Sequence, residues 1–115
     1  MKYNELTVWQ KAMDLVECVY KISYILPKEE KYALSDQLRR AVVSIPSNIA
    51  EGAGRKSTKD YVHFLNIARG SAYEVETQLH VCRRLKLVPD ETLAEAFALA
   101  EEVTKMINAI CVKLG

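Results

Sequence analysis

The stretch QLRRAVVSIPSNIAEGAGRKSTKDYVHFLNIARGSAYEVE, residues 37–76, decides the fold of this chain. It contains a helical pattern with a proline inside it, a glycine-rich break, a basic turn and a second helical pattern. Ser57 and Asp60 form a capping box, in which the serine oxygen accepts a free N–H at the start of a helix. The stretch therefore predicts two helices joined by a short break.

The first of these helices is predicted from about Lys31 to Gly52, because apolar residues recur along it at helical spacing. Pro46 lies inside the pattern, where it removes one backbone hydrogen bond and crowds the preceding turn. Since the apolar register continues across it, we expect one helix kinked at Pro46 rather than two helices. Gly52 and Gly54 are expected to end the helix through a left-handed residue.

A helix also precedes this stretch. The pattern predicts it from about Val8 to Leu26, with apolar residues on a wide arc. Thr7 and Gln10 fit a capping box at its start. Pro27 ends it, because the residue before a proline disfavours the helical conformation.

The remaining segments complete an all-α chain. Helix three is predicted to begin after Ser57 or Thr58 and to run to about Lys86, and helix four covers about residues 90–114. Connections of only a few residues make consecutive helices antiparallel neighbours. We therefore predict one domain over residues 1–115, an up-down-up-down four-helix bundle.

The composition is that of a globular protein, with 50% hydrophobic and 27% charged residues. No apolar run is long enough to cross a bilayer, and MKYNELTVWQ lacks the apolar segment of a signal peptide. Cys18, Cys82 and Cys111 are odd in number and lie in apolar helical patterns, so we expect buried, reduced thiols. These features predict a cytoplasmic protein without a membrane partner.

Residue types that carry catalysis are not grouped in a usable pattern. His63 and His80 are about 25 Å apart along helix three, so they cannot share one metal ion. EGAGRKS lacks the spacing and the preceding strand of a phosphate-binding loop, and no cysteine faces a histidine on its own helix. We expect no enzymatic activity, no metal, no cofactor and no small-molecule substrate.

Charge is distributed unevenly along the chain, although the net charge is only +1. Residues 55–86 carry seven Lys or Arg against three Asp or Glu, whereas residues 87–115 carry two against five. An ordinary solvated charged face is the first interpretation of this stretch, and nucleic-acid contact is the functional alternative, because mobile cations beside a helix start suit phosphate groups. The predicted contact residues are Arg55, Lys56, Lys59, Arg69, Arg83 and Arg84.

Small and polar residues form a strip away from the leucine face. Ser44 and Ser47 belong to it on helix two, and Gly70 and Ser71 lie in the middle of helix three. A glycine inside a helix costs about 1 kcal/mol relative to alanine, so Gly70 predicts the close approach of another backbone. Helices one and three have apolar arcs broader than one core needs, which predicts a homo-oligomer.

Three carboxylates lie near glycines and polar residues in these helices. A general acid or base needs a pocket, which no sequence pattern indicates here. We expect ion pairs with arginines instead, within the chain or across a subunit boundary. The carboxylates are Glu51, Glu74 and Glu76, and the candidate partners are Arg39, Arg40 and Arg69.

Several segments together resemble one known family. QLRRAVVSIPSNIAEGAGR (37–55) and IARGSAYEVETQL (67–79) resemble the corresponding segments of the 23S rRNA intervening-sequence proteins. The opening ELTVWQKAMDL (5–15) and the Leu-Ser-Asp-Gln entry to helix two at 34–37 match as well. The resemblance covers about residues 3–88, and helix four matches only in its pattern.

The resemblance implies a small four-helix bundle that assembles as a ring-shaped homopentamer. Some members are encoded within insertions in bacterial 23S rRNA genes, and an accessory protein of diversity-generating retroelements is related. A non-enzymatic binding or scaffold protein that touches ribosomal RNA through a basic rim is expected, with a protein–protein adaptor as the alternative. This chain departs from a strongly basic RNA-binding relative in being almost neutral. The positions expected in helix packing or the oligomer interface are Ser44, Ser47, Asn48, Glu51, Gly70, Ser71 and Glu74.

Overall fold

Four α-helices make up most of the computed structural model, which describes residues 2–115. They are α1 (Thr7–Ile25), α2 (Leu34–Ala53), α3 (Thr58–Arg84) and α4 (Ala94–Leu114). Short 3-10 turns lie at Tyr3–Glu5, Lys28–Glu30 and Asp90–Thr92. No strand occurs within residues 2–115, and the predicted all-α four-helix bundle is confirmed.

The helices form a ring in which each contacts its neighbours in the chain and α1 also contacts α4. Gly52, near the end of α2, lies against Tyr61 near the start of α3. In the middle of the same two helices, Ser44 bonds to Ser71. Later residues of α2 therefore contact earlier residues of α3, as expected for antiparallel neighbours. These contacts support the up-down-up-down order, which stays a prediction for the whole bundle.

One hydrophobic core joins all four helices. Burying each large aliphatic side chain contributes about 1.5–3 kcal/mol, so this core dominates stability. Within residues 2–115, no helix combines the length and apolar character needed to cross a membrane. The largest fully buried side chains include Leu15, Leu38, Ile45, Ile49, Leu65, Leu79, Leu93 and Ile107.

Both ends of α1 lie within one residue of their predicted positions, but the cap predicted at its start is not formed. Leu26 is extended, with φ −65° and ψ 150°, directly before Pro27. At the start, Leu6 occupies the cap position and no side chain caps the helix, so the Thr7 capping box is wrong. Gln10 donates instead to the carbonyl of Asn4 at 3.2 Å, because the preceding 3-10 turn brings that oxygen within reach.

The second helix continues through its proline. α2 runs unbroken from Leu34 to Ala53 with Pro46 inside it, as expected of one helix rather than two, while the kink itself stays a prediction. The left-handed ending was wrong, because Gly54 has φ −85° and no glycine within residues 2–115 has a positive φ. Gly52 is explained instead by the close packing of α2 against α3, which leaves no room for a side chain. A Cβ there would lie 2.9 Å from the Cβ of Phe64.

The third helix is the longest and has well-defined ends. At its start the backbone N–H of Asp60 donates to the Ser57 hydroxyl at 3.1 Å, which confirms the cap. At its end Lys86 adopts a left-handed φ of 54°. The N–H of Leu87 then reaches back to the Cys82 carbonyl at 3.0 Å, closing the turn as glycine does in many helices.

Candidate functional site

The predicted nucleic-acid residues are spread along the whole of α3. Arg55, Lys56 and Lys59 lie at its start, whereas Arg83 and Arg84 lie at its other end. A helix of 27 residues spans about 40 Å, so the two groups occupy opposite ends of the bundle. They cannot form one continuous patch on a single chain.

Arg55 makes contacts within the chain, as do two other predicted arginines, Arg69 and Arg83. The Nε of Arg55 lies 3.3 Å from the Glu51 carboxylate. Its guanidinium carbon is also 4.9 Å from the centre of the Phe64 ring. Lys56 and Lys59 are exposed, and within residues 2–115 neither joins a salt bridge. The lysines are therefore the available phosphate contacts at this end.

Arg69 and Arg83 connect α3 to α4. Arg69 donates through one Nη to Asn108 and through the other to Asn66, both at 2.7 Å. Both acceptors are neutral amides, so the charge of Arg69 is positioned but not neutralised. The guanidinium carbon of Arg83 lies 4.3 Å from the centre of the Phe97 ring. These contacts give both arginines a packing role in the bundle.

Three of the small polar residues form a hydrogen-bonded seam between α2 and α3. The hydroxyls of Ser44 and Ser71 share a hydrogen bond of 2.8 Å. The amide of Asn48 donates to the Ser44 carbonyl at 2.8 Å and to its hydroxyl at 3.0 Å. Because these polar groups satisfy one another, the seam holds the two helices in register, and each hydrogen bond contributes about 0.5–1.5 kcal/mol.

The other residues of the predicted interface lie on the outside of the same helices. Ser47, Glu51, Gly70 and Glu74 are exposed. A Cβ added at Gly70 would meet no atom within 4 Å, so no backbone of this chain approaches it closely. The close approach predicted for Gly70 is therefore wrong within the chain, and Gly52 fills that role. Only a second molecule would contact Gly70.

The ion pairs differ from those predicted. Glu51 pairs with Arg55 four residues later, one turn further along the same face, rather than with the predicted arginines. Arg40 pairs in the same way with Asp36, at 3.2 Å. No salt bridge of Glu74 or Glu76 occurs within residues 2–115.

An apolar groove runs between α1 and α2. Its walls come from half-buried side chains of α1 and from the outer side of α2 around the proline, and its volume is about 280 Å³. Val43 is 40% exposed there. The sequence indicated a broad apolar arc on α1 but missed the matching wall on α2. The apolar face of Pro46 was the available signal. The groove is lined by Tyr3, Trp9, Met13, Val16, Val43, Pro46, Ser47 and Ala50.

The titratable groups whose pKa is clearly shifted are spread over α1 and α3. Burial raises the pKa of the Glu76 carboxyl, nearby Glu101 raises it further, and His80 opposes both. Burial also raises the pKa of the Cys18 and Cys82 thiols, which keeps them protonated and unreactive. The part of the chain that the structure describes has no group of three or more His, Cys, Asp or Glu residues arranged to hold a metal ion.

Two comparisons with known proteins identify relatives of this architecture. The model of the 23S rRNA-intervening sequence protein family matches residues 4–109. A crystal structure of a protein of unknown function from the S23 ribosomal protein family of Bacteroides thetaiotaomicron superposes with a TM-score of 0.85 at 26% identity. That match covers 91% of this chain and 98% of the other. No curated protein matches significantly. The chain belongs to the 23S rRNA-intervening sequence protein family.

Proposed function

We propose that this chain is a non-enzymatic subunit of a homo-oligomeric scaffold, a pentamer by its family resemblance, that contacts structured RNA. The observation that carries the scaffold is the apolar groove between α1 and α2. Side chains such as Trp9 and Met13 are held at the surface there, and Val43 is 40% exposed. Burial of such a surface against another molecule is favourable by about 25 cal/mol per Å².

Exposed apolar side chains also occur along α3 and at its C-cap. Ile67, Val81 and Leu85 are 39%, 37% and 63% exposed. A chain with two different apolar surfaces can join head to tail, so that the groove of one copy takes the α3 surface of the next. Such heterologous contacts differ from the self-complementary contact of a two-fold dimer, and they close into a ring when the rotation between successive copies allows it.

The proposed RNA contact is at the connection between α2 and α3. Lys56 and Lys59 are exposed there beside the N-terminus of α3, where helix dipole and free cations both favour phosphate. A ring repeats these lysines once per subunit. The positive electrostatic potential around these lysines in the ring is then stronger than the net charge of +1 per chain indicates.

Light scattering on the purified chain tests the scaffold. Five chains of 13.0 kDa give a particle of about 65 kDa. Val43→Glu should shift the particle towards monomer, because a carboxylate in an apolar contact is strongly disfavoured. The matched control is Val112→Glu on α4, where the native side chain is 82% exposed. A stable monomer for the native chain would overturn the assembly.

A salt titration of binding to ribosomal RNA fragments tests the RNA contact. Lys56→Ala combined with Lys59→Ala should weaken binding equally for all RNA sequences and flatten the salt dependence. Lys105→Ala is the control, because Lys105 is exposed on α4 and pairs with Glu101. No binding by the native ring at about 50 mM salt rejects the RNA contact. Nuclease-resistant capture of one protein would then favour the adaptor.

A further inference from the structure

A second cationic site lies at the opposite end of the bundle from Lys56 and Lys59. An open cavity of about 240 Å³ lies at the connection between α1 and α2. Tyr24 and Arg39 line it from the two helices, and Lys28 and Lys31 line it from the connection itself. Because the connection follows the C-terminal end of α1, this site is distinct from the turn that starts α3.

The walls of this cavity carry positive charge without a carboxylate among them. Three of its lining side chains are cationic, and no Asp or Glu lines it. Glu29 and Glu30 belong to the same connection but do not line the cavity. The carboxylate of Asp36 is engaged with Arg40 at 3.2 Å. The cavity also adjoins the start of α2, where Ala33 occupies the cap position and no side chain caps the helix. Uncapped N–H groups and three cationic side chains around one cavity together suit a phosphate group.

Two tyrosines at this end of the bundle expose most of their surface to solvent. Tyr24 is 75% exposed and Tyr32 is 86% exposed. The ammonium of Lys31 lies 5.2 Å from the centre of the Tyr32 ring, so cation and ring are presented together. Exposed aromatic rings interleaved with cations are the arrangement by which proteins stack the bases and hold the backbone of single-stranded nucleic acid.

We propose that this end of the bundle binds an unpaired RNA strand, with a phosphate held by Lys28, Lys31 and Arg39 and an adjacent base stacked on Tyr24. Tyr32 offers a second ring for a neighbouring base. The proposal takes its ligand class from the proposed RNA contact but uses different residues. It adds a preference for unpaired nucleotides, which the lysines at the start of α3 do not provide.

Fluorescence anisotropy with a labelled single strand of about 12 nucleotides tests this site, with a hairpin of equal length for comparison. Tyr24→Ala should weaken single-strand binding about 5- to 100-fold, and Tyr24→Phe should bind almost as the native chain does, since the ring is kept. Arg39→Ala should reduce the salt slope by about 0.7. Tyr73→Ala is the matched control, because that tyrosine is 48% exposed on α3.

The outcomes separate this site from the proposed function. If Lys56 and Lys59 matter and Tyr24→Ala binds normally, the second site is rejected and the first stands. If Tyr24→Ala weakens binding whereas the lysine variants do not, the second site stands alone. Equal affinity for hairpin and single strand overturns base stacking. Equally strong competition by inorganic phosphate or by vesicles of anionic lipid assigns the cavity to a phosphate or a headgroup and rejects RNA.

Discussion

Gly52 and Gly70 both lie inside helices, yet their surroundings are opposite. A Cβ at Gly52 would lie 2.9 Å from the Cβ of Phe64 and 3.0 Å from a ring carbon of Tyr61. The Phe64 Cβ and the Tyr61 carbonyl oxygen, which would lie 3.2 Å away, are fixed by the backbone of α3, so a rotamer change cannot relieve the whole clash. Gly52 therefore sets how closely α2 and α3 approach each other at this end.

Gly52→Ala should lower the free energy of unfolding by about 1–3 kcal/mol, because an extra methyl in a filled contact forces the helices apart. Denaturant unfolding monitored by circular dichroism measures the change. Gly54→Ala is the matched control, since its Cβ would lie an ordinary 3.6 Å from the nearest atoms and the backbone φ of −85° suits alanine. Equal stability of the two variants would contradict this role of Gly52.

Single residues show where sequence patterns succeed and fail. The Ser57 cap was predictable because its partner, the N–H of Asp60, is fixed by local spacing. The Thr7 cap failed because a competing acceptor, the Asn4 carbonyl, is supplied by a turn that the pattern did not indicate. Gly52 and Gly70 could not be distinguished from sequence, since only packing between helices separates a crowded glycine from an open one.

At the scale of helices, the polar seam between α2 and α3 makes a quantitative prediction. Ser44→Ala and Ser71→Ala should each cost about 1 kcal/mol of unfolding free energy, and the double variant should cost less than their sum. The reason is that Ser44→Ala leaves the buried Ser71 hydroxyl without this partner, whereas Ser71→Ala leaves the half-buried Ser44 hydroxyl with Asn48 alone. A double-mutant cycle by denaturant unfolding gives the coupling energy. Additive effects would show that the Ser44–Ser71 bond contributes nothing net.

The contact between α3 and α4 predicts a pH effect. Burial, together with Glu101, raises the folded-state pKa of Glu76 above its ordinary value of 4.5. The folded chain therefore holds this proton more tightly than the unfolded chain, so the stabilisation is complete below pH 4.5 and is lost as pH rises through the folded pKa.

Glu76→Gln should remove this part of the pH dependence and stabilise the chain at neutral pH relative to the native protein. Thermal unfolding at pH values from about 4 to 7 measures the difference between the two curves. Glu91→Gln serves as the control, because Glu91 is exposed. A difference between native chain and Glu76→Gln that does not grow with pH would contradict the prediction.

The number of helices was predictable because the apolar periodicity is strong and the breaks carry proline or glycine. Pro27 ends α1 where expected, since the constraint is local and steric. The start of α2 was predicted near Lys31 but lies at Leu34, because a 3-10 turn at Lys28–Glu30 continues the helical spacing before the α-helix begins. Short 3-10 segments share too much of the α-helical pattern to be separated from it by periodicity alone.

At the scale of the whole molecule, Gly70 becomes a test of assembly. Apart from the adjacent backbone of α3, the first carbon added by Gly70→Leu meets no atom within 4 Å, so the isolated fold should tolerate it. If the outer face of α3 contacts the next subunit, the variant should reduce the particle mass while keeping the helical circular dichroism signal. Light scattering and circular dichroism on one sample measure both. An unchanged mass would exclude Gly70 from the subunit contact.

The candidate sites were only partly predictable, because they depend on which parts of the chain come together. The sequence marked a basic stretch from Arg55 to Lys86, but a continuous α3 separates its two ends by most of the 43 Å length of the bundle. The cationic cavity beside Tyr24 is formed by residues from two helices and their connection. Acidic residues lie near these basic residues in the sequence, so a count of charges along the chain did not reveal the cationic cavity.

The apolar groove between α1 and α2 contains the sole tryptophan of the chain, Trp9. Its indole is half-buried and stands edge-on to the Tyr3 ring, with 5.5 Å between ring centres. The emission wavelength of an indole depends on its contact with water, so the fluorescence of Trp9 reports the hydration of the groove. A blue shift of this emission when the native protein is concentrated indicates that the groove has lost contact with water. The measurement needs neither a label nor a substitution.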